Sequence, residues 1–149
     1  MSPSRKNNIL YICSSLAWGG GEKYSVELAK SFLQRNYEVI FAAHTDSRIL
    51  MEARKATIKV VPLRFIRYFD PGTVIKLVHL IRSYRIDIIH CHLSRDLSHL
   101  YWAVKLCGNI PVVLHKHVAS GVLKKDLLHR RLYSVVTKII VLSNFIKNQ

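Results

Sequence analysis

The chain has 149 residues, enough for one domain with its own core and too few for two. Half of it is hydrophobic and 21% is charged, which excludes a mostly disordered chain, and no uncharged stretch is long and apolar enough for a membrane span. Lys and Arg number 23 against 9 Asp and Glu, a formal net charge of +14 that favours an anionic partner without choosing among nucleic acid, phospholipid headgroups and phosphorylated substrates.

Apolar runs of strand length alternate with helical patterns along the chain. Ile9–Cys13 reads as a buried strand, followed by the turn Trp18-Gly19-Gly20-Gly21 and a helix over Glu22–Arg35. Val39–Ala43 is a second strand, Arg48–Lys55 a short helix, and Ile58–Val61 a third strand stopped by Pro62. Asp70-Pro71 supplies an N-cap and a first-turn proline for a helix through Tyr84. Ile86–His92 is a fourth strand, Asp96–Cys107 a helix ending at Gly108, and Val112–His115 a fifth strand. Lys125–Val135 is helical, Ile139–Leu142 is a sixth strand, and Ser143 would cap a final helix.

Strands alternating with helices predict an α/β fold: a Rossmann-like, doubly wound parallel sheet of about six strands, in a single domain over residues 1–149. Such sheets bind ligands beyond the carboxyl ends of their strands, which directs attention to Ser14–Gly21, His44–Asp46, His92–Asp96 and Lys116–Gly121. Cys13, Cys91 and Cys107 form no CxxC pair and read as reduced thiols. Ser4-Arg5-Lys6 before an apolar run imitates a secretory leader without a clear cleavage site, so a cytoplasmic protein is expected.

Gly19, Gly20 and Gly21 lie between the first strand and first helix, where bare backbone amides and a helix N-terminus suit a phosphate; a simple flexible turn is the alternative. The fingerprint GxGxxG is absent, because Tyr24 stands where its third glycine belongs. His90 and His92 share one strand face, and His115 and His117 repeat the spacing. If those strands are neighbours, His92 and His117 meet over the cleft. Three readings compete for the four histidines: polar filling of the sheet rim, a zinc site, and contact with a substrate through hydrogen bonding or proton transfer. Substrate contact is preferred, so neither a metal nor a cofactor is assigned. Asp96 is placed to cap its helix or to orient an acceptor hydroxyl.

Arg64, Arg67, Lys124, Lys125, Arg130 and Arg131 form the basic surface. Leu123, Leu127, Leu128, Leu132 and Val135 give the segment around the last four an apolar face, which suits an anionic membrane surface; an ordinary solvated helix of a basic protein is the alternative. Nucleic-acid binding is not expected, since no RNP motif, zinc finger or helix-turn-helix is present.

The order Ile9-Leu10-Tyr11-Ile12, Gly19-Gly20-Gly21-Glu22, Val26-Glu27-Leu28-Ala29-Lys30 and Tyr37-Glu38-Val39 resembles the opening of family 4 (group 1) glycosyltransferases, whose GT-B fold faces two Rossmann-like domains across a cleft. Asp87–His92, Pro111–His117 and Ile140-Val141-Leu142-Ser143 continue the resemblance, although Asn144 stands where a Glu is common in the family. The resemblance implies a retaining transfer of a sugar from a nucleotide-sugar donor to a glycan or lipid-linked acceptor, as in cell-envelope polysaccharide biosynthesis, with no obligatory metal. It puts Gly19, Gly20 and Gly21 against the donor diphosphate, His117 beside the donor sugar as the catalytic residue, and His92 and Asp96 on the acceptor side. The basic surface would then seat the protein peripherally on the inner face of the cell membrane.

The resemblance also implies that this is the N-terminal, acceptor-side half, without the C-terminal nucleotide-sugar domain. Whether truncated or one subunit of a split enzyme with a separate C-terminal partner, it is expected to be inactive alone. The reading from another class is a non-catalytic basic Rossmann-like module that binds anionic membrane or nucleic acid.

Overall fold

The computed structural model describes residues 6–66, 69–117 and 127–141. Its elements in chain order are β1 (Asn8–Cys13), α1 (Gly20–Gln34), β2 (Glu38–His44), α2 (Arg48–Lys55), β3 (Lys59–Leu63), α3 (Pro71–Ser83), β4 (Ile88–Cys91), α4 (Leu97–Cys107), β5 (Val112–Lys116), α5 (Leu127–Tyr133) and β6 (Val136–Val141). The strands form one six-stranded sheet in the order β3-β2-β1-β4-β5-β6, and every ladder is parallel. This is the doubly wound arrangement, with the order reversing between β1 and β4.

Side chains alternate across each strand, so two cores form, one per face. Ile9, Tyr11, Cys13, Val39, Phe41 and Ala43 point to the face covered by Val26 and Ala29 of α1 and by Ile49, Leu50 and Ala53 of α2. Leu10, Ile12, Ile89, Cys91, Val112 and Leu114 point to the other, under Leu77 and Leu80 of α3 and Leu100 and Ala103 of α4. The central strands are apolar on both faces because helices cover both. The histidines interrupt this pattern: His90 stands level with Tyr11 in the β1–β4 ladder, at a position where the rest of the face carries apolar or aromatic residues.

Local signals start and stop the elements as their chemistry requires. The Asp70 carboxylate accepts from the amides of Gly72 (2.9 Å) and Thr73 (3.1 Å), and Pro71 opens α3 where its missing N–H costs nothing. Gly108 closes α4 with φ of 99°, a left-handed conformation that glycine adopts without penalty.

Most element ends shift by one or two residues from the sequence reading, and three differences matter more. Pro62 does not stop β3, which runs on to Leu63; β3 is an edge strand paired only with β2, so a residue without an N–H is tolerated there. The strand β6 begins at Val136 rather than Ile139, with Thr137 and Lys138 exposed, so its first half lacks the apolar run that marks a buried strand. Asp96 does not cap α4, as no amide of that helix bonds its side chain. Ser143 and Lys125 fall outside the described residues.

Candidate active site

Beyond the carboxyl ends of β1, β4 and β5, a cavity of about 590 Å³ is lined by Cys13, Gly20, Gly21, Glu22, Tyr24, His92, Leu93 and His117. The neighbouring placement of β4 and β5 brings the histidines together. His92 Nδ1 and His117 Nε2 lie 3.0 Å apart in a hydrogen bond. The rings form a stacked group, with centroid separations of 4.6 Å for His90–His92, 4.4 Å for His115–His117 and 5.3 Å for His92–His117. Tyr24 of α1 closes over it edge-on, 5.0 Å from His115 and 5.6 Å from His117.

The first turn of α1 meets this group closely. A Cβ on Gly21 would stand 3.2 Å from His117 Cγ, so the absence of a side chain there is what lets the imidazole approach the helix end. A Cβ on Gly20 would meet nothing within 4 Å and would project into open space. Gly19 is the residue before the helix. Its amide donates to Glu22 Oε2 (3.0 Å), and Ser15 Oγ donates to Glu22 Oε1 (2.7 Å). Glu22 therefore ties down the loop from within. Burial pushes its carboxyl up, but the hydrogen bonds from Ser15 and Gly19 outweigh this and hold it below the ordinary value. Of the three glycines expected to face a phosphate, Gly20 and Gly21 reach the cavity, whereas the amide of Gly19 is already taken.

Electrostatically the imidazoles are uncharged at neutral pH. Burial, reinforced by the neighbouring imidazoles, lowers His90 to about 4 and His92 well below its ordinary value of 6.5. The same causes bring His115 to about 4, while His117 is lowered by burial against the opposing charge of Glu22. A neutral imidazole is both a donor and an acceptor, which suits hydrogen bonding to hydroxyls and proton transfer. Several buried ring nitrogens have no hydrogen-bond partner among the described residues: His90 Nε2, His92 Nε2, both nitrogens of His115 and His117 Nδ1. Each such atom costs about 1–3 kcal/mol.

Asp96 occupies a different place from His92. Its carboxylate accepts from the Ser14 amide (3.0 Å) and from Ser14 Oγ, while Arg95 Nε and Nη2 donate to Ser14 Oγ (3.0 Å) and to the Ser14 carbonyl (3.1 Å). Burial raises the Asp96 carboxyl to about 6, against the opposing pull of the Ser14 hydrogen bonds and Arg95. The pair fixes the loop after β1 to the start of α4. It also lines a second cavity of about 400 Å³, shared with Ser14, His44, Phe65, Arg95 and His99. His92 and Asp96, expected together on the acceptor side, thus face two cavities, His92 the one under the first turn of α1 and Asp96 the one lined by Ser14–Ala17 of the β1–α1 loop.

The basic surface is only partly described. Arg64, Arg130 and Arg131 are exposed, and Arg131 Nε donates to the Tyr101 hydroxyl of α4 (3.2 Å); Arg67, Lys124 and Lys125 lie outside the described residues. Sequence reasoning missed Tyr24 as a wall of the site and Arg95–Asp96 as the clamp on Ser14. A helical-face pattern hides the first, and the second joins residues 82 positions apart.

Comparison with known proteins follows the same lines. The family model described as "Glycosyltransferase Family 4" matches residues 18–149. Among solved structures, the chain is similar to a glycosyltransferase from Rickettsia africae ESF-5, with a TM-score of 0.75 and 22% identity, over 96% of this chain and 38% of that one. It is similar to Anabaena Alr3699/HepE, solved in complex with UDP-glucose (TM-score 0.73, 19% identity, 95% and 39% coverage). It is also similar to Acinetobacter baumannii MurG (TM-score 0.67, 14% identity, 92% and 41% coverage). At these identities the structures attest the fold, and the chain spans about two fifths of each of these proteins. Comparison with curated proteins gave no match. The family match covers residues 18–149 of a doubly wound sheet shared with these structures, and the chain belongs to glycosyltransferase family 4.

Proposed function

We propose that the chain is the acceptor-side domain of a retaining glycosyltransferase, transferring a sugar from a nucleotide-sugar donor to a glycan or lipid-linked acceptor. A further domain, on the same or a separate polypeptide, would hold the nucleotide, and without it the chain would have little activity. The observation that carries this reading is the joint lining of one cavity by Gly20, Gly21 and His117. The first turn of α1 offers amides and a positive dipole end to the donor diphosphate, and His117 stands beside it where the sugar would lie. Stabilising the departing diphosphate and fixing the acceptor are the main demands of such a transfer. A neutral His117 can accept a hydrogen bond from a sugar hydroxyl or relay a proton. His92, bonded to His117, fixes its orientation. Asp96 would serve the acceptor side through the second cavity, alongside Arg95 and His99.

HepE has been solved with UDP-glucose, which supports a nucleotide-sugar donor as the ligand class. Peripheral binding to the cytoplasmic face of a membrane fits the lipid-linked acceptor. The exposed aromatics Phe69, just before α3, and Trp102, on α4, are in contact at 6.1 Å, and the exposed Arg131 bonds Tyr101, the next residue to Trp102.

The test is donor-dependent transfer by the chain supplied with its nucleotide-binding domain. His117→Ala is expected to lower kcat by about 100-fold or more with the fold intact by circular dichroism. An unaltered rate would remove His117 from the reaction centre.

A further inference from the structure

We propose that His92, His115 and His117 form a site for one divalent transition-metal ion of the zinc class, with a fourth position open to the cavity beside Gly20 and Gly21. Three observations support it independently of the transferase reading. One nitrogen from each of the three histidines lies within 4.8 Å of the others, and His92 Nδ1 and His117 Nε2 are already 3.0 Å apart. Ligand nitrogens around tetrahedral zinc stand roughly 3.3 Å apart for bonds of ~2.0–2.1 Å, so the His92–His117 pair is already near that spacing and the His115 nitrogen has at most about 1.5 Å to close.

The second observation is burial without partners. His115 is 1% exposed, and among the described residues neither of its nitrogens has a hydrogen-bond partner, while the converging nitrogens His92 Nδ1 and His117 Nε2 are bonded to each other. A merely packed polar residue usually finds a partner, whereas a ligand to an absent ion does not. The third is the donor chemistry. An all-imidazole set selects zinc, nickel, cobalt or copper over magnesium and calcium, which take oxygen. Two of the three rings, His92 and His117, line the cavity, so water or a phosphate oxygen can reach the fourth position, as in zinc sites that keep one ligand exchangeable. The sequence reading preferred substrate contact to zinc for these histidines; that role stays with His117 in the metal-free protein, and the orphaned nitrogens of His115 are what point to a metal as well.

Stripped of metal with a chelator and titrated with Zn2+ and Co2+, the protein should bind one equivalent of either. The Co2+ form should show the visible absorption of a low-coordinate site, and Zn2+ should raise the unfolding temperature. Mg2+ should do neither. His115→Gln, which leaves the cavity lining untouched, should weaken Zn2+ binding by more than about 100-fold, and His79→Ala, an exposed histidine on α3, should not change it. If His115→Gln does not fold, zinc X-ray absorption on the native protein decides: three imidazoles in the coordination shell support the site, and fewer overturn it. Absence of stoichiometric Zn2+ binding, or full binding by a folded His115→Gln variant, would also overturn it. A bound ion would engage the ring nitrogen of His117, so the transfer assay is run in chelator and the two claims fail separately.

Discussion

Gly21 and His117 show how one missing methyl group sets a site. The 3.2 Å approach of a Gly21 Cβ to His117 Cγ obliges the imidazole to shift, with His115 stacked on it and Tyr24 at its edge. Gly21→Ala should therefore push His117 aside by a few tenths of an ångström and lower kcat/KM by up to about 10-fold. Gly20→Ala meets no neighbour and sits in the first turn of a helix, so it should leave stability unchanged or raise it by up to ~1 kcal/mol. Any loss of transfer in Gly20→Ala then reports on the ligand rather than on the fold. Kinetics and thermal unfolding of both variants check this, and a Gly21→Ala enzyme as active as the parent would contradict it.

Among the elements, the β4–β5 pair carries an unusual load of imidazoles, His90 and His115 buried on the strands and His92 and His117 just beyond their carboxyl ends. Folding holds them uncharged: His90 and His115 stay neutral down to about 4, whereas an unfolded chain protonates them near 6.5. As pH falls through that window the unfolded state binds more protons, so stability is complete above about 6.5 and declines toward 4. Each such histidine contributes a slope of about 1.4 kcal/mol per pH unit. Asp96 acts in the opposite sense, since its folded carboxyl protonates near 6 and its unfolded one near 3.8, but it is one group against several. Urea unfolding of the metal-free protein between pH 7 and 4.5 should show a steep loss; a flat profile would mean that the imidazoles are solvated. These strands also show what spacing in a sequence can and cannot reveal. Alternation put His92 and His117 on strand faces, and the doubly wound order made β4 and β5 neighbours, so their meeting was legible. The end of β3 at Pro62 was misread because edge position, which excuses a proline, belongs to the sheet and not to the strand. Asp96 was misread as a helix cap because its partner, Ser14, is remote in the chain and joined to it only by tertiary structure.

For the whole molecule, the excess of cations is the property with the longest reach. Exposed Phe69 and Trp102 supply an apolar foothold, and Arg131 stands beside it through its bond to Tyr101. Binding to vesicles containing anionic phospholipid should exceed binding to neutral vesicles and weaken steeply from 50 to 500 mM salt, roughly as Debye screening shortens from about 14 Å to about 4 Å. Equal binding to both vesicle types would refute an electrostatic seat on the membrane. The central claim, however, concerns the cavity. The isotope-labelled chain, assembled with its nucleotide-binding domain and titrated with the donor, gives an NMR signal for each group involved. The account predicts that the Gly20 and Gly21 amides and the His117 ring shift together, with one saturation curve; shifts confined to residues away from this cavity would contradict it.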